Sequence, residues 1–594
     1  MRRLGRVLVI LLAVTGFLTL VGVGLTGLVA YQLATGGTVA TPPDRGVVTL
    51  DLESRFRNAP DGDPMAALSG EPSYVLRQVI EAIDAAAADR KVVGLFATLG
   101  HASLGLADGQ ELRDAITRFR ASGKPAVLFA ETLGDGGVGT LDYYLASAFG
   151  QVWLQPSGDV GLTGLLAESP FVKGTLDLLG IKTQFFARHE YKSAIETFTQ
   201  SSYSASHRET LERLLDSWTN QIVAGISGGR KLPVERVQAL IGKGPYLPSE
   251  ALAAGLIDRV GYRDEAWAAV AGTGDAAAEE VDIADYVARL PSSHGVKVAL
   301  ISGLGAIHRG ESSPGFDDDG GFGATTIAEA FRDAVADKSV KAILFRIDSP
   351  GGSYTASDTI WHEVALARAA GKPVVVSMGN VAASGGYFVA MGADRVLAQP
   401  GTLTGSIGVF TGKVILDEFW NKLGISWDEL HRGDNAAMWS MNRPFPPEAQ
   451  ARINTMLDAI YADFTGKAVE GRSIPAERID QLARGRVWSG EDARTHGMVD
   501  GLGGWYEAVA AIRELAHLKP QDPINLVEFP QPRKPWEVLA EAVSGGSLAE
   551  RKALLRAVSV LDPLLAPLAA LPTPRDGGAA TLRMMPVSPA GVAQ

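Results

Sequence analysis

The chain has 594 residues, 46% of them apolar and 21% charged, with a formal net charge of −12. That length allows several domains of ~100–200 residues, the apolar share excludes general disorder, and the acidic balance argues against a nucleic-acid partner. Cysteine is absent, which excludes disulfides, thiolate catalysis and cysteine-ligated zinc while leaving the redox compartment open.

In chain order, the basic segment 1–6 carries Arg2, Arg3 and Arg6, and an uncharged run rich in Leu, Val and Gly follows over 7–34. As a helix rising ~1.5 Å per residue this run exceeds a ~30 Å hydrocarbon core. It is also about twice as long as the ~7–15-residue apolar core of a cleaved signal peptide. The expectation is an uncleaved transmembrane anchor at 7–34 in the cytoplasmic (inner) membrane. The arginines would stay cytoplasmic, and everything after about Pro43 would be extracytoplasmic, or periplasmic.

The remainder is written twice. Val92-Val-Gly-Leu-Phe-Ala-Thr-Leu99 parallels Val340-Lys-Ala-Ile-Leu-Phe-Arg-Ile347, and the same shift carries Gly123-Lys-Pro125 onto Gly371-Lys-Pro373. After a small change of shift, Gln155-Pro156 falls on Gln399-Pro400, Gly161 and Gly164 fall on Gly405 and Gly408, and Leu179-Gly-Ile181 falls on Leu423-Gly-Ile425. Ala254-Gly-Leu-Ile-Asp258 matches His496-Gly-Met-Val-Asp500 near the two ends. Two homologous domains are expected at 45–271 and 294–516. An Ala-, Gly- and acid-rich linker at 272–293 would join them, and an extension at 517–594 would be partly disordered.

Within the second domain the pattern alternates. Ala342–Ile347 is a nearly continuous apolar run, as in a strand buried on both faces. Thr355–Ala370 places Ile360, Val364 and Ala367 at helical spacing. Pro373–Ser377 reads as strand, Gly385–Ala393 as helix and Arg395–Ala398 as strand. This order predicts βαβ units around a mostly parallel sheet.

Two segments carry chemistry. The first strand ends in Asp348-Ser-Pro-Gly-Gly352, where Pro350 fixes one angle and the glycines can turn with their N–H groups aimed at one oxygen. Alone it is a strand-to-helix turn. The next strand leads to Ala383-Ser-Gly-Gly-Tyr387, which exposes the Ser384 hydroxyl at a helix N-terminus. Alone, Ser384 is an N-cap. Adjacent parallel strands gather ligands at their carboxyl ends, so together the segments set a nucleophile beside backbone donors, as acyl transfer needs.

These motifs, with Thr404-Gly-Ser-Ile-Gly408 and, in the first domain, Glu190-Tyr-Lys-Ser-Ala194, resemble the signal peptide peptidase A family in its long, duplicated, membrane-anchored form. The resemblance covers about 45–516. It implies an α/β fold of two tandem homologous ClpP/crotonase-like domains, built of repeated ββα/βαβ units after the N-terminal transmembrane helix. It implies a serine endopeptidase that degrades remnant signal peptides and other apolar peptides, assembled as a homo-oligomer, a tetramer enclosing its sites above the membrane. By the same resemblance Ser384 is the nucleophile, Lys192 the general base, Ser406 the group that orients the lysine, and Gly352 and Gly385 the oxyanion donors, with Gly351 the alternative to Gly352. A lysine base must be neutral, and burial in apolar surroundings lowers its pKa.

The repeat makes the two domains unequal. Ser384 falls on Thr140, Gly385 on Leu141 and Ser406 on Leu162, while Lys192 falls on Ala436. One site per chain, shared between a first-type and a second-type domain, is the expectation, within one chain or between neighbours. A histidine base (His362, His431 or His496) and a second nucleophile at Thr140 lack supporting motifs. Acyl-CoA chemistry on the same superfamily fold would leave Ser384 without a role, and a non-catalytic scaffold would not need the Ser384, Lys192 and Ser406 set. No metal or cofactor is expected: there is no HExxH, Cys/His cluster or phosphate loop, and Asp317-Asp-Asp319 reads as a solvated acidic run.

Overall fold

The computed structural model describes residues 43–60, 73–290, 294–312, 321–519 and 521–531, together with Gly24. Apart from Gly24, the anchor expected at 7–34 lies outside the described residues. So do segment 1–6, the run Asp317-Asp-Asp319 and most of 517–594. Among the described residues no helix is long and apolar enough to cross a membrane.

The first domain is built on β1 (Gly46–Asp51), β2 (Val92–Thr98), β3 (Ala126–Ala130), β4 (Gln151–Leu154), β5 (Lys182–Ala187), β6 (Arg259–Val260) and β7 (Glu279–Asp282). All but β5 form one six-stranded parallel sheet, ordered β6-β4-β3-β2-β1-β7. β3, Ala-Val-Leu-Phe-Ala, is buried at every position, which is why it reads as an unbroken apolar run. Helices α1 (Leu76–Ala88) and α2 (Leu106–Ala121) connect successive strands. α1 buries Leu76, Val79, Ile80 and Ile83, one stripe at helical spacing. Helix α3 (Thr140–Ala146) follows β3, and α4 (Ala205–Arg230) follows β5.

The second domain repeats the plan with β8 (Val296–Leu304), β9 (Ala342–Ser349), β10 (Val374–Ala383), β11 (Arg395–Ala398), β12 (Leu403–Gly405), β13 (Phe410–Ile415), β14 (Val487–Ser489), β15 (Gly501–Leu502) and β16 (Ile524–Glu528). The main path is β14-β12-β10-β9-β8-β16, with β11 on β10 and β15 on β11. All pairs are parallel except β12–β14. Helix α5 (Tyr354–Ala369) links β9 to β10, α6 (Gly385–Ala390) follows β10, α7 (Pro447–Arg472) follows β13 and α8 (Trp505–Leu515) follows β15. The expected alternation is present. β10 runs six residues past Ser377 to Ala383, and α6 ends at Ala390 rather than Ala393.

The expected linker 272–293 is in part built into the first sheet: β7 pairs with β1 along its whole length. Its sequence Glu-Glu-Val-Asp buries only Val281, so an edge strand wet on three of four positions carries a linker's composition. The second domain closes in the same way, with β16 on β8, beyond the boundary expected at 516. Each half thus ends by pairing a strand onto its own first strand.

One buried cluster spans the two halves. Val48, Leu95 and Leu128 of the first sheet belong to the same buried cluster as Leu300, Leu344, Val375 and Ile512 of the second half. The halves also trade strands. β5 of the first pairs antiparallel with β13 of the second, Lys182 opposite Ile415 and Ala187 opposite Phe410. This small inter-domain ribbon sets the position of the residues just beyond it.

Candidate active site

β10 runs without a break into Ser384, which caps α6 with φ 53° and ψ −117°. A non-glycine residue holds that conformation only when its surroundings impose it. Here the Ser384 N–H donates to Gly405 O at 2.8 Å, and Ser384 O accepts from Phe388 N–H at 2.9 Å. The next turn of chain is driven hard against β9 and α5. A Cβ on Gly385 would lie 2.7 Å from Ser357 Oγ, and one on Gly386 2.6 Å from Ser349 O. The two glycines after the serine are therefore steric requirements of the approach.

The Asp-Ser-Pro-Gly-Gly turn lies against the same spot. A Cβ on Gly351 would sit 2.6 Å from Gly385 N, and one on Gly352 would sit 2.1 Å from Ile307 O. Gly351 N–H is occupied, donating to Ser349 Oγ at 3.2 Å. The N–H groups of Gly352 and Gly385 have no acceptor among the described residues, and Gly352 N lies 3.1 Å from where a Cβ on Gly385 would stand. Two unpaired backbone donors thus flank Ser384, which distinguishes Gly352 from Gly351 in a way the sequence did not.

Lys192 comes from the first domain of the same chain. Its Nζ lies 3.1 Å from Ser384 Oγ, 2.8 Å from Ser406 Oγ and 2.9 Å from Ser406 O. The side chain is 6% exposed. Burial lowers the ammonium from its ordinary value to about 7, with no neighbouring charge to offset the cost. Ser406 is also held at positive φ, 53°, with its N–H donated to Arg486 O at 2.7 Å.

The seat of the lysine was not legible from the motifs. Arg188 N–H donates to Val409 O at 2.9 Å just past the β5–β13 ribbon, and Tyr191 N–H donates to Arg484 O at 3.2 Å. Immediately after Tyr191 the chain rides over Gly485, at φ 87°, where a Cβ would lie 2.5 Å from Lys192 N and 2.7 Å from its Cα. Side chains clamp the loop from both sides: Glu190 pairs with Arg484 at 3.0 Å, and Glu209 takes Arg486 at 2.9 Å and the Tyr191 hydroxyl at 3.0 Å. Segment 484–486 therefore holds Ser406 and Lys192 together. The sequence signal for it was slight, a lone glycine between two arginines.

The other candidates lie elsewhere. Thr140 is 1% exposed and exchanges two 2.9 Å bonds with the backbone of Gly164. Leu162, in the place of Ser406, is buried. His362 is exposed on α5, His431 faces Glu429, and His496 meets the Trp488 ring edge-on. Among the described residues the partner of the Ser384 hydroxyl is Lys192, and no group of three or more His, Asp or Glu side chains could hold a metal ion. The arrangement offers a hydroxyl nucleophile, an amine that can be neutral near pH 7, and two free N–H donors.

A family model described as peptidase family S49 matches residues 118–276 and 366–519. The chain is 32% identical to Protease 4 of Salmonella typhi over 529 residues, 85% of this chain and 83% of that one. It is 32% identical to the chloroplastic serine protease SPPA of Arabidopsis thaliana over 515 residues, 84% of this chain and 72% of that one. It is also 32% identical to Protease 4 of Haemophilus influenzae over 518 residues, 82% of each chain. A ClpP1 mutant from Listeria monocytogenes matches 36% of this chain and 94% of that one at 13% identity and a TM-score of 0.23, too low for any argument to rest on it.

Proposed function

The chain belongs to peptidase family S49, a serine-type protease of the Protease 4 kind, and we propose that it is an endopeptidase working through a Ser384–Lys192 dyad assembled across its two domains. The observation that carries this is a buried lysine amine 3.1 Å from the hydroxyl of a strained serine followed by two glycines. A neutral amine has two N–H bonds and one lone pair. Ser406 offers two acceptors, its carbonyl and its hydroxyl oxygen, which leaves the lone pair for the Ser384 O–H. Ser406 thereby orients the base.

In the first step Ser384 Oγ bonds to the substrate carbonyl carbon while its proton passes to Lys192 Nζ. The resulting oxyanion is taken by the free N–H groups of Gly352 and Gly385. Lys192 then returns the proton to the departing amine as the C–N bond breaks, leaving an acyl ester on Ser384. Water, deprotonated by the now neutral lysine, releases the acid by the same route reversed. Substrate covering the lysine deepens its desolvation and keeps the amine basic but uncharged.

The substrates in this reading are remnant signal peptides and other apolar peptides, reached outside the cytoplasmic membrane by a chain anchored through 7–34, on ClpP/crotonase-like domains. A relative from Enterococcus faecium, matched over 30% of this chain, is named as a signal peptide peptidase. A serine-directed phosphonate should label Ser384 in the wild type and nothing in Ser384→Ala. Absence of labelling together with absence of apolar-peptide hydrolysis refutes the reading.

The ribbon between the halves supports a ring of chains, a tetramer in the family's pattern. Through the repeat, β13 corresponds to 166–171 and β5 to 426–431, so the pairing made once inside the chain has a counterpart not made there. Both counterparts are without strand pairing, and Leu166, Trp427 and Leu430 are exposed. A heterologous interface of this kind closes only by meeting the next copy. The register of Phe410 opposite Ala187 sets Leu166 opposite His431 of a neighbour. In a chain without cysteine, Leu166→Cys with His431→Cys should oxidise to a covalent ladder of chains. A product that stays monomeric removes the ring.

A further inference from the structure

A buried guanidinium lies behind the nucleophile. Arg346 of β9 is 0% exposed. It donates to Glu111 Oε1 at 2.7 Å, Asp108 Oδ1 at 3.1 Å, Ser377 Oγ at 2.8 Å and Asn58 Oδ1 at 2.7 Å, and it lies 4.9 Å over the Trp505 ring. Asp108, Glu111 and Asn58 belong to the first domain, Arg346 and Ser377 to the second. A third carboxyl, Asp348, joins the cluster through Asn58 Nδ2 at 3.2 Å. Three acids around one cation in the interior are costly unless each has a structural task.

The task of Asp348 follows from the β9–β10 register. The pairing is regular to Ile347 opposite Met378, then jumps to Ser349 opposite Ala382. The extra residues of β10 bulge around the Asp348 carboxyl, which accepts from Val381 N–H at 2.9 Å and Asn380 N–H at 3.3 Å. The fit is tight enough that a Cβ on Gly379 would lie 2.7 Å from Asp348 Oδ2. Three residues beyond Val381 is Ser384, and four beyond Asp348 is Gly352. The Asn380 side chain then docks on the first domain, donating to Asp108 Oδ2 at 2.6 Å and accepting from Asp108 N–H at 3.2 Å.

We propose that Asp348 is a positioning residue: its carboxylate ties the strand that carries Ser384 to the turn that carries Gly352, and Asn58, Asn380 and Asp108 lock that unit to the first domain. The proposal rests on reading Ser384 as the nucleophile and Gly352 as an oxyanion donor. The first domain therefore reaches the site twice, through Lys192 in front and through this lock behind.

Burial, and then the charge of Asp108, push the Asp348 carboxyl well above its usual range, against the pull of Arg346. The charged groups facing it are Asp108 from α2 and Arg346 from its own strand, with Glu111 beyond the guanidinium. As pH falls a proton reaches Asp348 and weakens its acceptors, at the same side of neutrality where Lys192 becomes charged. Two protonations, rather than one, should shut the enzyme off in acid.

The experiment compares wild type, Asp348→Asn and Asn58→Ala as full chains, hydrolysing an apolar peptide across pH 5–9, with phosphonate labelling of Ser384 and a thermal melt for each. Asp348→Asn should lose about 100-fold in kcat with little change in KM, the scale of an ångström's misplacement. Its acid limb should fall with one proton where wild type falls with two. Asn58→Ala, which removes one arm of the lock to the first domain without removing a charge, should lose about 10-fold and keep the two-proton limb. A folded Asp348→Asn with wild-type kcat and an unchanged limb overturns the proposal. If that variant does not fold, an unchanged kcat in Asn58→Ala overturns it. A wild type that neither labels nor hydrolyses would instead sink the dyad itself, a separable result.

Discussion

The edges of the two sheets, compared residue by residue, show how little separates a scaffold from a site. In the first domain β3 stops at Ala130, a loop intervenes, and Thr140 enters α3 as an ordinary helical residue behind Gly139. Its hydroxyl is spent on Gly164. In the second domain β10 continues to Ala383, and Ser384 itself becomes the strained cap of α6. The crossovers and closing edge strands follow one plan, the second sheet adding the antiparallel β12–β14 pair. The difference is that one strand runs on into its helix through a conformation that only close packing can maintain, and that the freed hydroxyl meets an amine supplied by the other half. Duplication let the cost of strain fall on one copy and the cost of a buried amine on the other.

That comparison can be broken at its strongest point. Lys192→Met should abolish turnover, by about 10⁴-fold or more, since in the proposed dyad base and nucleophile act as a unit. It should also stabilise the fold. Burial lowers the folded-state pKa to about 7 from 10.5, so the folded chain resists the proton that the unfolded chain binds. The penalty is fully present below about pH 7 and fades as pH rises toward 10.5. The gain in melting temperature from Lys192→Met should therefore be largest at pH 6 and shrink by pH 10. A variant less stable than wild type at pH 6 would mean that the amine is a structural asset. In wild type, kcat/KM should rise with pH through about 7 as the amine becomes neutral.

A smaller but still large effect is expected at Gly485→Ala. The new Cβ must push the Lys192 backbone, 2.5 Å away, and a displacement near an ångström costs about 100-fold in kcat while Ser384 stays reactive to a small phosphonate. Unchanged peptide hydrolysis would show that the lysine is not seated there. The smallest effect is at the vestigial position. Thr140→Ser in a Ser384→Ala background should give no hydrolysis at all, because Leu162 offers the first domain no counterpart of Ser406. Any turnover in that double variant would erase the asymmetry.

What the sequence disclosed and what it withheld divide along the same physical line. Ser384, Ser406 and Gly352 stand in motifs whose small residues announce close backbone approach, Lys192 was reached only through the family resemblance, and the repeat exposed the missing serine in the first copy. Arg346 in a strand and Asp108 in a helix gave no such signal, because a charged residue says nothing of what it meets across a domain boundary, and Asp348, although it opens the glycine motif, gave no sign of the β10 bulge that closes on its carboxyl. Val281 alone was too little to mark β7 as a strand. That Lys192 and Ser384 meet within this chain was not readable from the repeat, because the β5–β13 ribbon that seats the lysine loop joins strands at positions the repeat does not equate.

Segment 484–486 has a further consequence, in time rather than in space. A ribosome finishes Ser384 about a hundred residues before it reaches Arg484. Until that later stretch has emerged, the lysine loop has no floor and Ser406 has no anchor for its N–H. On the proposed reading of the site, the growing polypeptide carries its serine before the seat of its base exists. On that reading, order of synthesis does the work of a zymogen's latency, and a product truncated before Arg484 should keep its serine without hydrolysing peptides.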